Sequence, residues 1–323
     1  MLGKDNWAET QERFTLWWQG KNKGRPLMSV VGVNAEKDSP MPEEFQVETA
    51  EEQCLNIDKK TARFRHRLKS RKFFGESFPN LNLDIGPGSM AAYLGAVPQI
   101  SWDTVWYTEF VKDWNELGKL EFNPDDVWWK KHLEMVTRAR ELAGDDFLLG
   151  LPDIIENLDI LAAMRGAQNM IFDIMDEPEM VHKRIQEIDE LYFQYYDPMY
   201  DLVKDKNGGC CYTMFQIWGP GRTAKIQCDF SAMISPDQFR EFVKPSLEKQ
   251  CKNLDYSLYH LDGPDAIRHV DAVMEIKELN ALQWTCGAGQ PDGGSERWYP
   301  IYDKVVKAGK SLWIQIYDGN VED

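Results

Sequence analysis

The chain lacks any apolar run long enough to cross a bilayer and any apolar leader, which excludes a membrane span and places the expectation in the cytoplasm. Positive charge is scarce. Lys and Arg number 37 against 53 Asp and Glu, a net charge of −16, so neither nucleic acid nor an anionic membrane is an expected partner, because both are held by cations against phosphate. Cysteines are few and irregularly spaced (Cys54, Cys210, Cys211, Cys228, Cys251, Cys286), which suits reduced thiols better than a disulfide framework. No Ser/Gly linker or short repeat divides the sequence, so residues 1–323 are expected to form one domain. Gly86-Pro87-Gly88 lacks the Gly-Lys-Ser/Thr that completes a phosphate loop, and no Ser/His/Asp hydrolase pattern is present.

What is there is a repeated order of short apolar runs and longer amphipathic stretches, the order of strand-helix units around a parallel sheet. Strands are expected at 27–33, 81–85, 147–151, 212–218, 256–261, 281–284 and 311–316. Helices are expected from Asn123-Pro124-Asp125-Asp126 to a stop near Gly144, from Asp176-Glu177-Pro178 to about Tyr196, and from Ser235-Pro236-Asp237 through Lys252. Asp323 follows the last expected strand by seven residues, too few for another strand and helix. A (β/α)8 TIM barrel would then lack its last strand-helix unit in this chain, unless the short 226–229 segment fills the gap.

The most pointed pattern is Tyr259-His260-Leu261-Asp262-Gly263. In a strand, alternation puts His260 and Asp262 on one face, so an imidazole and a carboxylate point together at a strand end, where barrel enzymes keep their chemistry. The bland alternative makes His260 a hydrogen-bonded core histidine and Asp262 a cap on the turn before Pro264. Asp84 before Ile85-Gly86-Pro87-Gly88 is a pocket carboxylate or a satisfier of turn amides. Trp218-Gly219-Pro220-Gly221-Arg222 presents a strand end, a glycine turn and an arginine able to reach an anionic group. Trp102, Trp106, Tyr107 and Trp114 either line a pocket for a flat ligand or form a packing stripe. Trp17-Trp18 and Trp128-Trp129 are core or subunit-interface candidates, the latter implying a homodimer. The basic run from Lys59 to Lys72 could meet a phosphate or carboxylate, but its length and the preceding acidic segment favour a solvated face paired with acids.

Several of these stretches together resemble the uroporphyrinogen decarboxylase superfamily, which also contains zinc-dependent, corrinoid-linked methyltransferases. The resemblance rests on Arg25-Pro26-Leu27, on Leu83 to Gly88 followed by Leu94-Gly95-Ala96, and on Pro152-Asp153 with Asp159-Ile160-Leu161 and Arg165-Gly166. It continues through Ser235-Pro236 with Phe239 and Phe242, Tyr259 to Gly263, Gln283-Trp284 and Gly309-Lys310. It implies a (β/α)8 barrel enzyme with its pocket at the C-terminal strand ends.

For the decarboxylase, Asp84 falls where the family keeps the aspartate that faces the substrate pyrroles. The arginine-rich stretch that grips the substrate's carboxylates is replaced by Gly32-Val33-Asn34-Ala35-Glu36, and the pocket tyrosine falls at about Ala162 or Ala163. For the methyltransferases, the zinc-binding His-x-Cys reads His260-x-Asp262, with Cys286 a candidate third ligand. The resemblance therefore implies methyl transfer from a methylated corrinoid (methylcobalamin), carried by a corrinoid protein, or from a small methyl donor, to a thiol or similar acceptor. In that reading His260, Asp262 and Cys286 hold zinc, while Asp84, Arg222 and Asp229, with Trp218 and Trp106, orient a small-molecule substrate. The alternatives are decarboxylation of a tetrapyrrole by Asp84 and a non-catalytic binder of a corrinoid or porphyrin.

Overall fold

A computed structural model describes residues 1–316. Its strands, in chain order, are β1 (Ser29–Val33), β2 (Arg71–Gly75), β3 (Asn80–Leu81), β4 (Val97–Ile100), β5 (Val105–Thr108), β6 (Leu148–Leu149), β7 (Cys210–Tyr212), β8 (Ile217–Gly219), β9 (Thr223–Gln227), β10 (Tyr256–Asp262), β11 (Ala281–Thr285) and β12 (Ser311–Ile314). Parallel pairing falls in two arcs. One is β3 beside β6, extended to β7 by a single bridge from Gly150 to Cys211. The other is a four-stranded sheet in the order β12-β11-β10-β9. Its register sets His260 between Gln227 and Gln283, and Asp262 opposite Thr285.

The closed TIM barrel expected from the sequence is not observed: among the described residues no ladder joins β7 to β9 or β12 to β3. Residues 27–33 do not open the parallel set. β1 runs antiparallel to β2, with Val30, Val31 and Val33 exposed. Residues 212–218 are not one strand either, since the chain reverses over 213–216, with Gln216 at φ 51, and makes the antiparallel hairpin β7–β8. The strand that lies beside β10 is β9, which includes the start of the 226–229 segment weighed as a gap filler. β3 and β6 are only two residues long, Pro79 preceding one and Pro152 following the other by three residues. A proline cannot donate to a ladder, and the glycine-rich turn after Asp84 leads the chain out of the sheet.

The helices follow their sequence signals more closely. Val127–Ala143 begins at Asp126, whose carboxylate accepts from the amides of Trp128 and Trp129 at 2.8 and 2.9 Å, a cap worth about 1 kcal/mol. It stops at Gly144. Pro178–Val203 has proline in its first turn and continues past Tyr196. Ser235 forms a capping box with Gln238, but the helix it opens passes through a wide turn at Phe239–Val243 before Lys244–Lys252. Pro245, with no amide hydrogen to donate, accounts for that irregularity.

One apolar core extends from Ile57 to Val305 through Leu83, Leu149, Leu161, Tyr195, Phe239 and Trp284. A second cluster, with Phe14, Trp18, Phe78, Trp218 and Leu258, brings helix Trp7–Trp18 against β8 and the N-terminal ends of β10 and β11. Trp18 Nε1 donates to the carbonyl of Trp218 at 2.8 Å. Trp18 and Trp129 are therefore core residues of this chain. All six cysteines are free, and no helix among the described residues is long and apolar enough to cross a membrane.

Candidate functional site

Both arcs end at one cavity of about 820 Å³, lined by the C-terminal ends of β3, β9 and β10, the hairpin turn after β7, and the segment from Ile100 to Val105. Asp84, Asp153, Lys225, Gln227, Asp229 and His260 all reach it.

Asp84 is held by the turn that follows β3. Its amide donates to Asn82 Oδ1 at 2.7 Å, and its Oδ1 accepts from the Asp153 amide at 2.7 Å. Gly86, at φ +110, lets this turn pass Val105, because a Cβ there would lie 2.6 Å from the Val105 Cβ. Burial, and then repulsion from Asp153, push the Asp84 carboxyl up to about 7, so it carries a proton at pH values where an ordinary aspartate does not.

Asp153 and Lys225 tie the two arcs together. The Lys225 ammonium lies 2.7 Å from Asp153 Oδ1 and 2.8 Å from Oδ2, and the Tyr212 hydroxyl donates to Oδ2 at 2.8 Å. Lys225 also donates to Gln227 Oε1. The Gln227 amide in turn donates to Asp229 Oδ2 at 2.7 Å and Asp159 Oδ2 at 3.1 Å. Asp159 accepts the amides of Asp229 and Phe230 at 2.9 and 2.8 Å, which fixes the chain where β9 ends. Desolvation, followed by repulsion from Asp159, raises the Asp229 carboxyl.

On β10, His260 Nδ1 pairs with Gln283 Oε1, and Gln283 Nε2 donates to Thr285 Oγ1 at 2.9 Å. That second bond orients the amide with its oxygen toward the ring, so the network assigns the proton to Nδ1 and leaves Nε2 with a lone pair. Burial, then the Lys225 cation, lower the His260 pKa and favour the neutral ring. The Phe215 ring packs 5.3 Å from it, centroid to centroid. Asp262 lies two residues along the same strand. Ligand atoms of Asp229, His260 and Asp262 all lie within 4.8 Å of one another.

The site residues expected from sequence thus divide. His260, Asp262, Asp229 and Asp84 come to one place. Cys286 does not belong to the grouped ligand atoms, and Asp229 stands third instead, because the end of β9 lies beside β10 on the side away from β11. Arg222 precedes β9 at the opposite end of the sheet. It pairs with Asp197 at 2.7 Å and stacks over Phe193 and Tyr196, none of them at the cavity. Trp218 is buried in the second core cluster with its Nε1 on Asp205 Oδ2 at 3.0 Å. Trp106, 71% exposed on β5, does not line the cavity, whereas Trp102 does.

Sequence reasoning missed Asp153, Lys225, Gln227, Tyr212 and Gln283. A signal existed for two of them: polar Thr223, Lys225 and Gln227 alternate with apolar residues in the period of a strand. The run from Lys59 to Lys72, expected to be a solvated, paired face, is only partly so, since Lys60, Arg63, Arg67 and Arg71 line the cavity.

No protein-family model matches this chain, and no curated protein does. Among solved structures, a methyltransferase from Methanosarcina mazei is similar, with a TM-score of 0.58 over 95% of this chain and 93% of that one. The two share 11% sequence identity, so the likeness concerns the fold.

Proposed function

We propose that the protein is an enzyme of methyl transfer, moving a methyl group from a corrinoid, on a partner protein or free, or from another small donor to a thiol or similar acceptor. The observation that carries this reading is the convergence of Asp229, His260 and Asp262, the first two of which line the cavity. Donors around a zinc ion at 2.0–2.2 Å stand roughly 3.4 Å apart in a tetrahedral site, and the ligand atoms of these three side chains already lie within 4.8 Å of one another. The chemistry of the set also fits. His260 has its Nδ1 proton committed to Gln283 and its Nε2 lone pair available, the arrangement in which an outer partner orients a ligating imidazole. Two carboxylates and one imidazole suit zinc or another borderline divalent metal. Bound there, such a metal supplies Lewis acidity that keeps an acceptor thiol deprotonated.

The chain's own residues then have distinct tasks. His260, Asp229 and Asp262 bind the metal, Gln283 and Gln227 orient two of these ligands, and Asp84 holds a proton at the cavity wall. The similar fold of a methyltransferase supports the reading without specifying donor or acceptor. The test is transfer from methylcobalamin to a panel of small thiols, followed spectrally. Demethylation of the corrinoid by wild type, lost in His260→Ala, supports the reading, and identical rates in the two proteins overturn it.

A second reading, decarboxylation of a carboxylate on a pyrrole, is favoured by the raised Asp84 carboxyl, which holds a proton it can give to the pyrrole, leaving a carboxylate opposite the resulting cation. Formation of coproporphyrinogen from uroporphyrinogen supports it, and its absence removes it.

A further inference from the structure

The helix Ile57–Leu68 and the start of β2 place four cations, Lys60, Arg63, Arg67 and Arg71, on the cavity lining. The first three stand at i, i+3 and i+7, one face of the helix. Their neighbours in the basic run behave differently. Lys59 pairs with Glu52 at 2.6 Å, Arg65 with Asp146 at 2.8 Å, and Lys72 with Asp5 at 3.6 Å. Among the described residues, the side chains of Arg63, Arg67 and Arg71 make no ion pair or hydrogen bond, and Lys60 reaches only the Cys54 carbonyl at 3.4 Å. A chain with 53 acids and 37 bases has ample carboxylates to neutralise such a wall, yet does not.

The acids that share the cavity are Asp84, Asp103, Asp153 and Asp229. Asp153 is taken by Lys225, Asp84 by the Asp153 amide and Asp229 by Gln227, while Asp103 is exposed and forms no ion pair with the four cations. Arg63 and Arg67, one turn apart, repel, and burial together with Arg67 lowers the pKa of Arg63. Like charges grouped on one cavity wall repel, and a bound anion relieves that repulsion. Three arginines and one lysine suit an oxyanion with two or more oxygens, which guanidinium forks grip in pairs. Phe64, Ile100, Trp102 and Val105 line the same space, so the anion is carried on an organic frame.

We propose that Lys60, Arg63, Arg67 and Arg71 form an anion subsite that holds a carboxylate, sulfonate or phosphate group of the substrate. This rests on the cavity being the reaction site, and it makes the substrate an organic anion whose charged end is gripped apart from the Asp229–His260–Asp262 cluster. The wall lies on a helix, away from the 32–36 segment where the sequence comparison places the arginines of the decarboxylase.

The experiment is calorimetric titration of the intact protein with benzene-1,3,5-tricarboxylate and with pyrophosphate. Wild type is expected to bind at least one of these probes, more weakly as salt rises. Arg63→Gln and Arg67→Gln are each expected to weaken binding about 10-fold or more, as loss of a charged hydrogen bond does. Arg138→Gln, whose arginine pairs with Asp58 and Glu141 outside the cavity, is expected to bind as wild type. Thermal melts of the variants verify that they fold. Absence of binding to both probes at millimolar concentration, or equal affinity in wild type and both cavity variants, overturns the proposal. His260→Ala should keep probe binding, so a failure of methyl transfer and a failure of the anion subsite give different results.

Discussion

Replacing Lys225 by methionine isolates what holds the two arcs of parallel strands together. Lys225 and Asp153 have side chains only 2% and 7% exposed, and the ammonium touches both carboxylate oxygens, at 2.7 and 2.8 Å. At an effective dielectric constant of about 20 their attraction at that distance is about 6 kcal/mol. The desolvation cost of two buried ions is several kcal/mol each, so the pair as a whole is close to neutral for stability. Removing one partner is another matter. Lys225→Met leaves a buried carboxylate with the Tyr212 hydroxyl and no cation in contact, which costs about 3–5 kcal/mol. Asp153→Asn leaves a buried ammonium and costs a similar amount. The double variant retains neither stranded charge, and its loss should fall short of the sum of the two single losses by at least about 2 kcal/mol. Urea unfolding of the four proteins, with denaturant slopes compared, measures this coupling. Additive single losses within about 0.5 kcal/mol would refute the claim that this pair bridges the arcs.

Asp84 makes the folded protein hold a proton that the unfolded chain releases near pH 4, since its carboxyl is raised to about 7 by burial and Asp153. The native state then binds more protons than the unfolded state, and stability falls as pH rises from about 4 to about 7. Asp84→Asn should flatten that slope in urea titrations at successive pH values and slow turnover about 100-fold or more, and a slope equal to that of wild type contradicts the assignment. Arg222→Ala, in contrast, should leave kcat and KM unchanged while costing about 1 kcal/mol, because it removes a surface ion pair and stacking on Phe193 and Tyr196. A tenfold rise in KM would return Arg222 to the site.

How much of this was legible in the sequence depended on the range of the interactions involved. Ser235, Asp126 and Pro178 announce helices because caps are local, and all three helices start where those residues stand. The alternation of His260 and Asp262 is equally local, and both residues belong to the metal-competent cluster. The third member depends on which strand lies beside β10, a non-local fact, so Cys286 and Asp229 could not be ranked from sequence. Arg222 misled because a strand-flanking glycine turn looks alike at either end of a sheet. The 212–218 run read as one strand because β-propensity does not register a reversal at Thr213 to Gln216. The basic run concealed its division between cavity and surface because composition averages over a helix, while the i, i+3, i+7 subset lines the cavity and Lys59 and Arg65 pair with acids.

The central claim is that Asp229 and His260, on the cavity wall, form a metal site with Asp262. Metal analysis of protein purified without chelators, after growth with added zinc, tests it most directly. The account predicts about one divalent metal ion per chain in wild type and less than about a tenth of that in both His260→Ala and Asp229→Asn, with melting curves that show both variants folded. Metal-free wild type, or the same metal content in all three proteins, would contradict it.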